Sequence, residues 1–368
     1  MKLGIYVHLP FCAVHCSYCD FPLTTRLSLS HQYYISLLKE IEMRRPSEVA
    51  DTLYFGGGTP SLTPAEVLGQ IKDQFRLEYE AETTLEANPD DINDQSLHDW
   101  KRIGINRLSI GVQSLEDAVL RRMLRRHSAA QAWQSLEKSR AAGFGSVNVD
   151  LIIGAPDQTV DGFHDGIDQL IGFHPQHFSL YLLEVHENTA LYKQLAADKV
   201  QLMPEEDQLQ CYRNAAQMLE HAGYEHYEVS NFALPGHASR HNWKYWTNAP
   251  YAGYGAGACS YLGSTRTTNI MSVTKYIEAL SAGRFPVASE TREDPETEMR
   301  NAVIFGLRKR EGIDLKEFKQ LYGVSPLSLF DSGAEEYLQD GFLELFENRL
   351  RLTLSGMLVS NEILSHIV

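Results

Sequence analysis

The sequence predicts an α/β fold with a parallel sheet, followed by a small helical domain. Over the first 185 residues, short β-like runs alternate with helical patterns, at roughly 30 to 40 residues per unit. From Asp294 onward the pattern changes to helix, turn, helix and a short hairpin. No window reaches 18 uninterrupted apolar residues, so no transmembrane helix is predicted. The 368 residues suffice for one large domain and an appendage.

Six strands are predicted, each bounded by a polar turn. They are "LGIYVHL", "DTLYFGG", "TTLEAN", "RLSIGV", "SVNVDLIIG" and "HFSLYLLEV". Helical patterns follow, "SHQYYISLLKEIEMRR" after the first strand and "PAEVLGQIKDQF" after the second. Six units are too few for an eight-stranded barrel, so a partial (β/α)6 barrel and an open doubly wound sheet both remain. In either fold, ligands gather where the strands end.

Three segments are predicted along the chain. Residues 1–235 would form the sheet domain, which ends with a long helix in "PEEDQLQCYRNAAQMLEHAG", where Pro204 marks the start and Gly223 the stop. Residues 236–293 are rich in aromatic residues and glycine and are predicted to connect the two domains. Residues 294–368, with a hairpin around "GFLELFENRLRLT", resemble a winged-helix-like domain.

Charge and cysteine content narrow the function. A formal net charge of −15 disfavours a nucleic-acid surface, because neutralising phosphates requires clustered Lys and Arg. An RNA-modifying enzyme would need such a surface. The five cysteines are an odd number, and the first residues do not form a signal peptide. A reducing cytoplasm is therefore expected, where clustered cysteines indicate a metal site.

Three of the cysteines form a C-x3-C-x2-C motif directly after the first predicted strand, at Cys12, Cys16 and Cys19. Three thiolates can hold three irons of a cubane cluster and leave the fourth iron open for a substrate. The alternative is structural zinc, which needs four protein ligands and could recruit His8, His15 or Asp20. The motif alone does not exclude that alternative.

Several motifs in order through most of the chain carry a resemblance to a known family. They are "YVHLPFC", "CSYCDF", "FGGGTPS", "LEANP", "SIGVQS", "VDLIIGAPDQT" and "HNWKYW". The cysteine motif resembles that of the radical S-adenosylmethionine (SAM) superfamily. The whole set resembles the oxygen-independent coproporphyrinogen III oxidase family and, within it, the heme chaperone subgroup. This resemblance implies a partial (β/α)6 radical SAM barrel and a [4Fe–4S] cluster on the three cysteines, with SAM on the open iron.

The resemblance also implies which residues contact SAM. "GGGTP" would receive the methionine ammonium, because glycines let the backbone approach a ligand closely. Carboxylates at strand ends suit an ammonium or a ribose diol, and side-chain amide and guanidinium donors suit a carboxylate. The expected SAM contacts are Gly57, Gly58, Thr59, Glu86, Asp150, Gln113 and Arg125, with Tyr6 and Tyr18 packed beside the cofactor.

Two departures separate this chain from the oxidases of that family. The oxidases carry a further cysteine two positions after the third, where this chain has Phe21, and a substantial N-terminal extension, whereas Tyr6 lies near the first residue. Decarboxylation of coproporphyrinogen, the alternative function, is therefore doubtful. The subgroup resemblance implies instead heme or another tetrapyrrole as cargo and a heme-acceptor protein as partner. An acceptor that sits at a membrane is compatible with this interpretation.

The "HNWKYW" segment is the predicted heme site. An imidazole is a suitable axial ligand and aromatic rings suit a flat macrocycle, which points to His241, Tyr245 and Trp246. The alternative is that the segment caps the barrel as a packed aromatic cluster. A last departure is Cys259, where the family commonly has histidine; this cysteine is expected to be a small buried residue rather than a substitute ligand.

Overall fold

The computed structural model describes residues 2–331 and 333–368, and most of its strands belong to one large sheet. The strands are β1 Leu3–Leu9, β2 Ala50–Gly57, β3 Leu77–Ala87, β4 Arg107–Gln113, β5 Ser146–Ile153, β6 His177–Leu182, β7 Glu225–Glu228, β8 Asn231–Ala233, β9 Tyr251–Tyr254, β10 Cys259–Leu262, β11 Thr265–Asn269, β12 Val287–Arg292, β13 Ile313–Asp314, β14 Leu343–Phe346 and β15 Arg349–Leu352. All six predicted strands are present, although β3 begins six residues before its predicted start.

The helices connect these strands. They are α1 Ser30–Arg44, α2 Ala65–Lys72, α3 Asp94–Arg102, α4 Asp117–Arg122, α5 Ala129–Ala141, α6 Val160–Phe173, α7 Ala190–Ala196, α8 Glu205–His221, α9 Arg240–Trp246, α10 Val273–Ser281, α11 Pro295–Arg308, α12 Leu315–Tyr322, α13 Glu335–Gln339, α14 Leu354–Leu358 and α15 Ser360–Ser365. None of the helices in the described part of the chain is both long and apolar enough to cross a membrane.

The first six strands are parallel neighbours in the order β1 to β6, with a helix between each pair. The alternation of apolar and polar side chains along each strand explains this arrangement. Ile5 and Val7 of β1 are fully buried on the helix-covered face, whereas polar residues such as Thr52 and Ser109 occupy the other face. Polar-face side chains from β2 to β6 line one common cavity, so the sheet curves into a partial barrel. The barrel is therefore confirmed over the doubly wound alternative.

Residues 236–293 are more than the connection that the sequence predicted. Strand β9 pairs in parallel with β1, and β10, β11 and β12 extend the same sheet at that edge. Glu40 of α1 holds this part of the chain through hydrogen bonds from the backbone amide of Gly255 at 2.8 Å and from Asn269 at 2.7 Å. The sequence pattern did not reveal this because β9 and β10 are only four residues long and lie among glycines, which are depleted in strands.

The C-terminal residues form a second core. Val303, Leu307, Phe318 and Leu350 are buried there, and β13, β15 and β14 form a three-stranded antiparallel sheet in that order. This confirms the small C-terminal domain. It joins the barrel through backbone hydrogen bonds, from Val229 to Arg308 at 3.0 Å and from Arg310 to Tyr227 at 3.1 Å. The boundaries at residues 235 and 293 remain predictions.

Candidate functional site

A cavity of about 560 Å³ opens at the carboxyl ends of the barrel strands. It brings together eleven of the residues that the sequence predicted, which come from six separate segments. They are Cys12, Cys16, Cys19, Tyr18, Gly57, Gly58, Thr59, Glu86, Gln113, Arg125 and Asp150. The position agrees with the rule that ligands bind where parallel strands end.

The three motif cysteines lie in the loop between β1 and α1, and all three thiols are free. The Thr59 hydroxyl lies 3.3 Å from the Cys12 sulfur, and Arg125 Nη1 lies 3.6 Å from the Cys16 sulfur. Burial raises the pKa of the Cys12 thiol, and raises that of Cys19 to about 11. A metal that bound these thiols would have to displace their protons.

The donor set suits a cluster better than a single zinc ion. Among the described residues, no group of three His, Cys, Asp or Glu side chains is placed to hold one metal ion. Each thiolate of a cubane binds a different iron, so its ligands stand further apart than those of one ion. His8 cannot complete a zinc site in this arrangement, because its Nδ1 contacts the Tyr6 hydroxyl at 3.0 Å and its Nε2 the Pro22 carbonyl at 2.8 Å.

The glycine segment after β2 leaves room that a side chain would fill. A Cβ at Gly58 would stand 2.9 Å from the Cys12 sulfur and 2.8 Å from the Pro10 backbone. Gly57 has a φ of 123°, which L side chains rarely adopt, and its amide donates to Glu86 Oε2 at 3.0 Å. The backbone therefore approaches the cysteines closely on this side of the cavity.

Two half-buried carboxylates, Glu86 and Asp150, face the cavity from neighbouring parts of the sheet. Burial raises the pKa of Glu86 to about 7, although the hydrogen bond from the Tyr54 hydroxyl at 2.9 Å opposes this. Burial also raises the pKa of Asp150, which accepts hydrogen bonds from Ser109 at 3.1 Å and Asn148 at 2.7 Å. Both carboxylates can therefore change their charge state, and a cationic ligand would stabilise their ionised forms.

Gln113 and Arg125 supply donors on the β4 side. Gln113 has a φ of 66°, an unusual backbone for a residue other than glycine, and its buried Oε1 has no hydrogen-bond partner among the described residues. Arg125 Nη2 donates to Asn88 Oδ1 at 2.6 Å and to the Gly111 carbonyl at 2.8 Å. The unpaired Gln113 oxygen can accept a hydrogen bond from an amino or hydroxyl group of a cofactor. The close approach of the backbone at Gly58 to the thiols fits such a cofactor as well.

The sequence interpretation missed polar residues that support these groups. Asn88 connects Arg125 to Thr59, since its Nδ2 donates to the Thr59 hydroxyl at 3.3 Å, and Ser109 supports Asp150. Asn88 lies two residues after Glu86, and Ser109 four residues before Gln113. Ser109 pairs with Glu86 across the neighbouring strands, and this register depends on tertiary structure that the local sequence pattern does not show.

Arg107, at the start of β4, was also missed. Its side chain is among the largest that are fully buried, and none of its three guanidinium nitrogens has a hydrogen-bond partner among the described residues. Its positive charge lowers the pKa of both Glu86 and Asp150, against the larger effect of burial. Arg107 therefore contributes a buried cation beneath the two carboxylates.

Four predicted residues do not line the cavity: Tyr6, His241, Tyr245 and Trp246. The His241 backbone amide lies 3.0 Å from Glu82 of β3, and its Nδ1 lies 2.8 Å from the Thr52 hydroxyl of β2. The start of helix α9 thus packs against the middle of β3 and the amino-terminal half of β2, whereas the Trp246 ring at its other end stands 5.6 Å from the guanidinium of Arg308, which lines the cavity.

His241 is 1% exposed, and its Nε2 contacts the Tyr245 hydroxyl at 3.0 Å, so both ring nitrogens are engaged. Burial lowers its pKa to about 3, which keeps the imidazole neutral. Tyr6 and Tyr54 stack on it, with ring centroids 6.3 and 5.2 Å away. This geometry favours the packed aromatic cluster, and an axial role for His241 remains a prediction.

The expectation for Cys259 was wrong. This cysteine is exposed at the start of β10, and its sulfur lies 3.4 Å from the Thr268 hydroxyl. The glycine segment before it turns the chain, and residue 259 is one of the two exposed ends of the four-residue strand β10. Cys211, by contrast, is buried within α8, as a helical position on an apolar face predicts.

Comparisons with known proteins agree with this architecture. The Radical SAM superfamily model matches residues 6–170, and the HemN C-terminal domain model matches residues 294–359. The chain is 33% identical to the heme chaperone HemW of Bacillus subtilis over 367 residues, which cover 97% of each protein. It is also 33% identical over 388 residues to radical S-adenosyl methionine domain-containing protein 1, mitochondrial, of Danio rerio, covering 100% of this chain and 87% of that protein.

Coproporphyrinogen III oxidase (HemN) from Escherichia coli has a similar structure, with a TM-score of 0.85 and 23% identity, covering 99% of this chain and 89% of that one. At this identity the similarity concerns the fold. The full-length matches at 33% identity and the cysteine motif at the barrel mouth lead to one conclusion. The chain belongs to the radical SAM superfamily and, within it, to the family that contains the heme chaperone HemW proteins.

Proposed function

We propose that this protein is a heme chaperone, which binds heme and transfers it to an acceptor protein. It would carry a [4Fe–4S] cluster and SAM at the barrel mouth. The observation that carries the proposal is one cavity, lined by the three motif cysteines and by residues of both domains, in a chain that matches heme chaperones over 97% of its length. Five free cysteines support a reducing compartment, the cytoplasm.

In this proposal each group of cavity residues has a task. Cys12, Cys16 and Cys19 would hold three irons of the cluster and leave the fourth iron for SAM. Gly57 to Thr59 would let the amino group of the SAM methionine approach the backbone. Together, cluster and SAM supply one-electron chemistry, which a radical SAM enzyme uses to cleave SAM.

The remaining residues orient SAM. Glu86 and Asp150 would accept hydrogen bonds from its amino group or ribose hydroxyls, and Gln113 and Arg125 would contact its carboxylate side. Tyr18 lines the same wall. Phe21, which also lines the cavity, offers no thiolate at the position where the oxidases have a further cysteine. This supports cargo binding over decarboxylation.

The test uses protein reconstituted anaerobically with iron and sulfide. The reconstituted protein is incubated with reductant, SAM and either coproporphyrinogen III or heme. We expect stable heme binding, no decarboxylated product, and transfer of heme to the apo form of a heme protein. Decarboxylated product would favour the oxidase alternative, and failure to bind heme would reject the chaperone function.

A further inference from the structure

The cavity continues past the cysteines to the boundary with the C-terminal domain. We call this part the outer lobe; it is lined by Leu182, Leu183, Val229, Arg308, Met357 and Leu358. Four of its apolar side chains belong to two different domains, since Leu182 ends β6, Leu183 follows it directly, and Met357 and Leu358 lie in α14. Clefts between domains with apolar walls are where flat organic ligands usually bind.

Arg308 gives the outer lobe a positive charge. Among the described residues of the lobe it is the only lysine or arginine. Its Nη2 donates to Asn361 Oδ1 at 2.7 Å, and its guanidinium stands 5.6 Å from the centre of the Trp246 ring. Burial lowers the pKa of Arg308, yet a guanidinium stays charged at neutral pH. A partly buried cation with donors beside an apolar wall suits a carboxylate on an apolar ligand.

Two acidic groups, Glu184 and Glu228, interact electrostatically with Arg308, but no carboxylate among the described residues lies within 4 Å of its guanidinium nitrogens. Glu184 also lines the cavity, but its side chain is 64% exposed, so water screens its charge. Glu184 is engaged by Asn361, whose Nδ2 donates to it at 3.4 Å. Glu228 is buried near Arg308, and burial raises its pKa to about 7, so it is partly neutral at that pH.

We infer that the outer lobe binds the flat face of heme, and that Arg308 binds one of its propionate carboxylates. The inference rests on the proposed function and names the part of the cavity that serves it. Heme combines an apolar macrocycle with two carboxylates on one edge, which matches an apolar wall with a cation at one end. The buried His241 cluster lies elsewhere and offers neither an open wall nor an unpaired ring nitrogen.

The experiment compares heme with a ligand whose carboxylates are masked. Ferric protoporphyrin IX and its dimethyl ester are titrated into reconstituted wild type and into Arg308→Gln. Removing a charge-assisted hydrogen bond should weaken binding of the free acid about tenfold or more. The ester should bind wild type and variant alike, so the preference for the free acid disappears in the variant. Arg308→Lys keeps the positive charge and should retain most of this preference. It shows whether a loss of binding in Arg308→Gln comes from the missing charge or from poor folding.

Arg300→Gln is the matched control, since Arg300 lies on the same helix and pairs with Glu296 at 2.6 Å, away from the cavity lining. It should keep the wild-type preference. Equal binding of acid and ester to the wild type, or an unchanged preference in Arg308→Gln, would reject the outer lobe and leave heme binding intact. A wild type that binds neither porphyrin would instead reject the proposed function, and the outer-lobe assignment with it.

Discussion

The Tyr54 hydroxyl donates to Glu86 Oε1 at 2.9 Å, while the Tyr54 ring stacks on His241 with centroids 5.2 Å apart. One side chain thus connects the packed interior of the barrel to a carboxylate at its mouth. The hydrogen bond stabilises the ionised form of Glu86 against burial, which raises its pKa to about 7. The charge state of the candidate SAM site therefore depends on a residue that lies below it.

The first prediction concerns pH and Glu86. The pKa of Glu86 rises from 4.5 to about 7 on folding, so the folded state holds an extra proton between these values. In the SAM-free protein, Glu86 should therefore contribute to the free energy of unfolding in full below pH 4.5. This contribution should be lost as the pH rises through about 7. Melting temperatures of the wild type and of Glu86→Gln are measured from pH 5 to pH 8. The difference between the two curves gives the contribution of Glu86. Parallel curves would contradict the prediction.

Tyr54→Phe should raise the pKa of Glu86 further, because it removes the hydrogen bond that lowers it. If ionised Glu86 binds SAM, the affinity should then rise with pH, and the rise should occur at higher pH in the variant. Calorimetric titration of SAM at several pH values tests this. Tyr79→Phe, at an exposed position of β3, is the control. Identical pH profiles for wild type and Tyr54→Phe would separate Tyr54 from the SAM site.

Cys12, Cys16 and Cys19 should each be essential for the cluster, because each thiolate binds a different iron. Changing any one to Ala should abolish the [4Fe–4S] absorption after anaerobic reconstitution. Cys259→Ala is the control, since Cys259 is free and exposed outside the cavity lining. A triple Cys→Ala variant that still binds four irons would disprove the assignment.

Glu86→Ala and Asp150→Ala should weaken SAM binding by about 1.5 to 3 kcal/mol each, which is the usual effect of removing a charged hydrogen bond. Calorimetry on the reconstituted variants gives the value. Glu80→Ala, at an exposed position of the same strand as Glu86, should bind SAM like the wild type. Unchanged affinity in both cavity variants would place SAM elsewhere.

Gly58→Ala should impair cluster assembly, since the added Cβ would stand 2.9 Å from the Cys12 sulfur and equally close to the Pro10 backbone. Gly145→Ala is a matched control, because a Cβ there meets nothing within 4 Å. Iron content and visible absorption are measured after parallel reconstitution. Full iron content in Gly58→Ala would show that the loop can yield around the cysteines.

His241→Ala should lower the melting temperature, because the change removes two side-chain hydrogen bonds and the ring on which Tyr6 and Tyr54 stack. The Soret spectrum and affinity of bound heme should stay as in the wild type. Heme titration and thermal melting of both proteins separate structural loss from loss of a ligand. A shifted Soret band at unchanged stability would instead support the axial role predicted from "HNWKYW".

The sequence by itself determined the elements and the cluster motif. Spacing fixed Cys12, Cys16 and Cys19 in one loop, and the alternation of strand and helix predicted a parallel sheet, because both signals are local. It also placed Glu86 and Gln113 at or near strand ends, whereas Asp150, which was expected at a strand end, lies three residues before the end of β5. Since parallel strands end at one edge, their approach to a common cavity followed from the fold class.

Only the tertiary structure decided which way the later segments turn. "HNWKYW" has the composition of a heme site, but helix α9 carries His241 into the lower barrel, where packing engages both ring nitrogens. Cys259 is exposed for a similar reason, because its face of β10 depends on strand pairing more than on composition. Arg308 reaches the cavity through the docking of a second domain. Such contacts join residues far apart in sequence, and no local pattern encodes the distance between them.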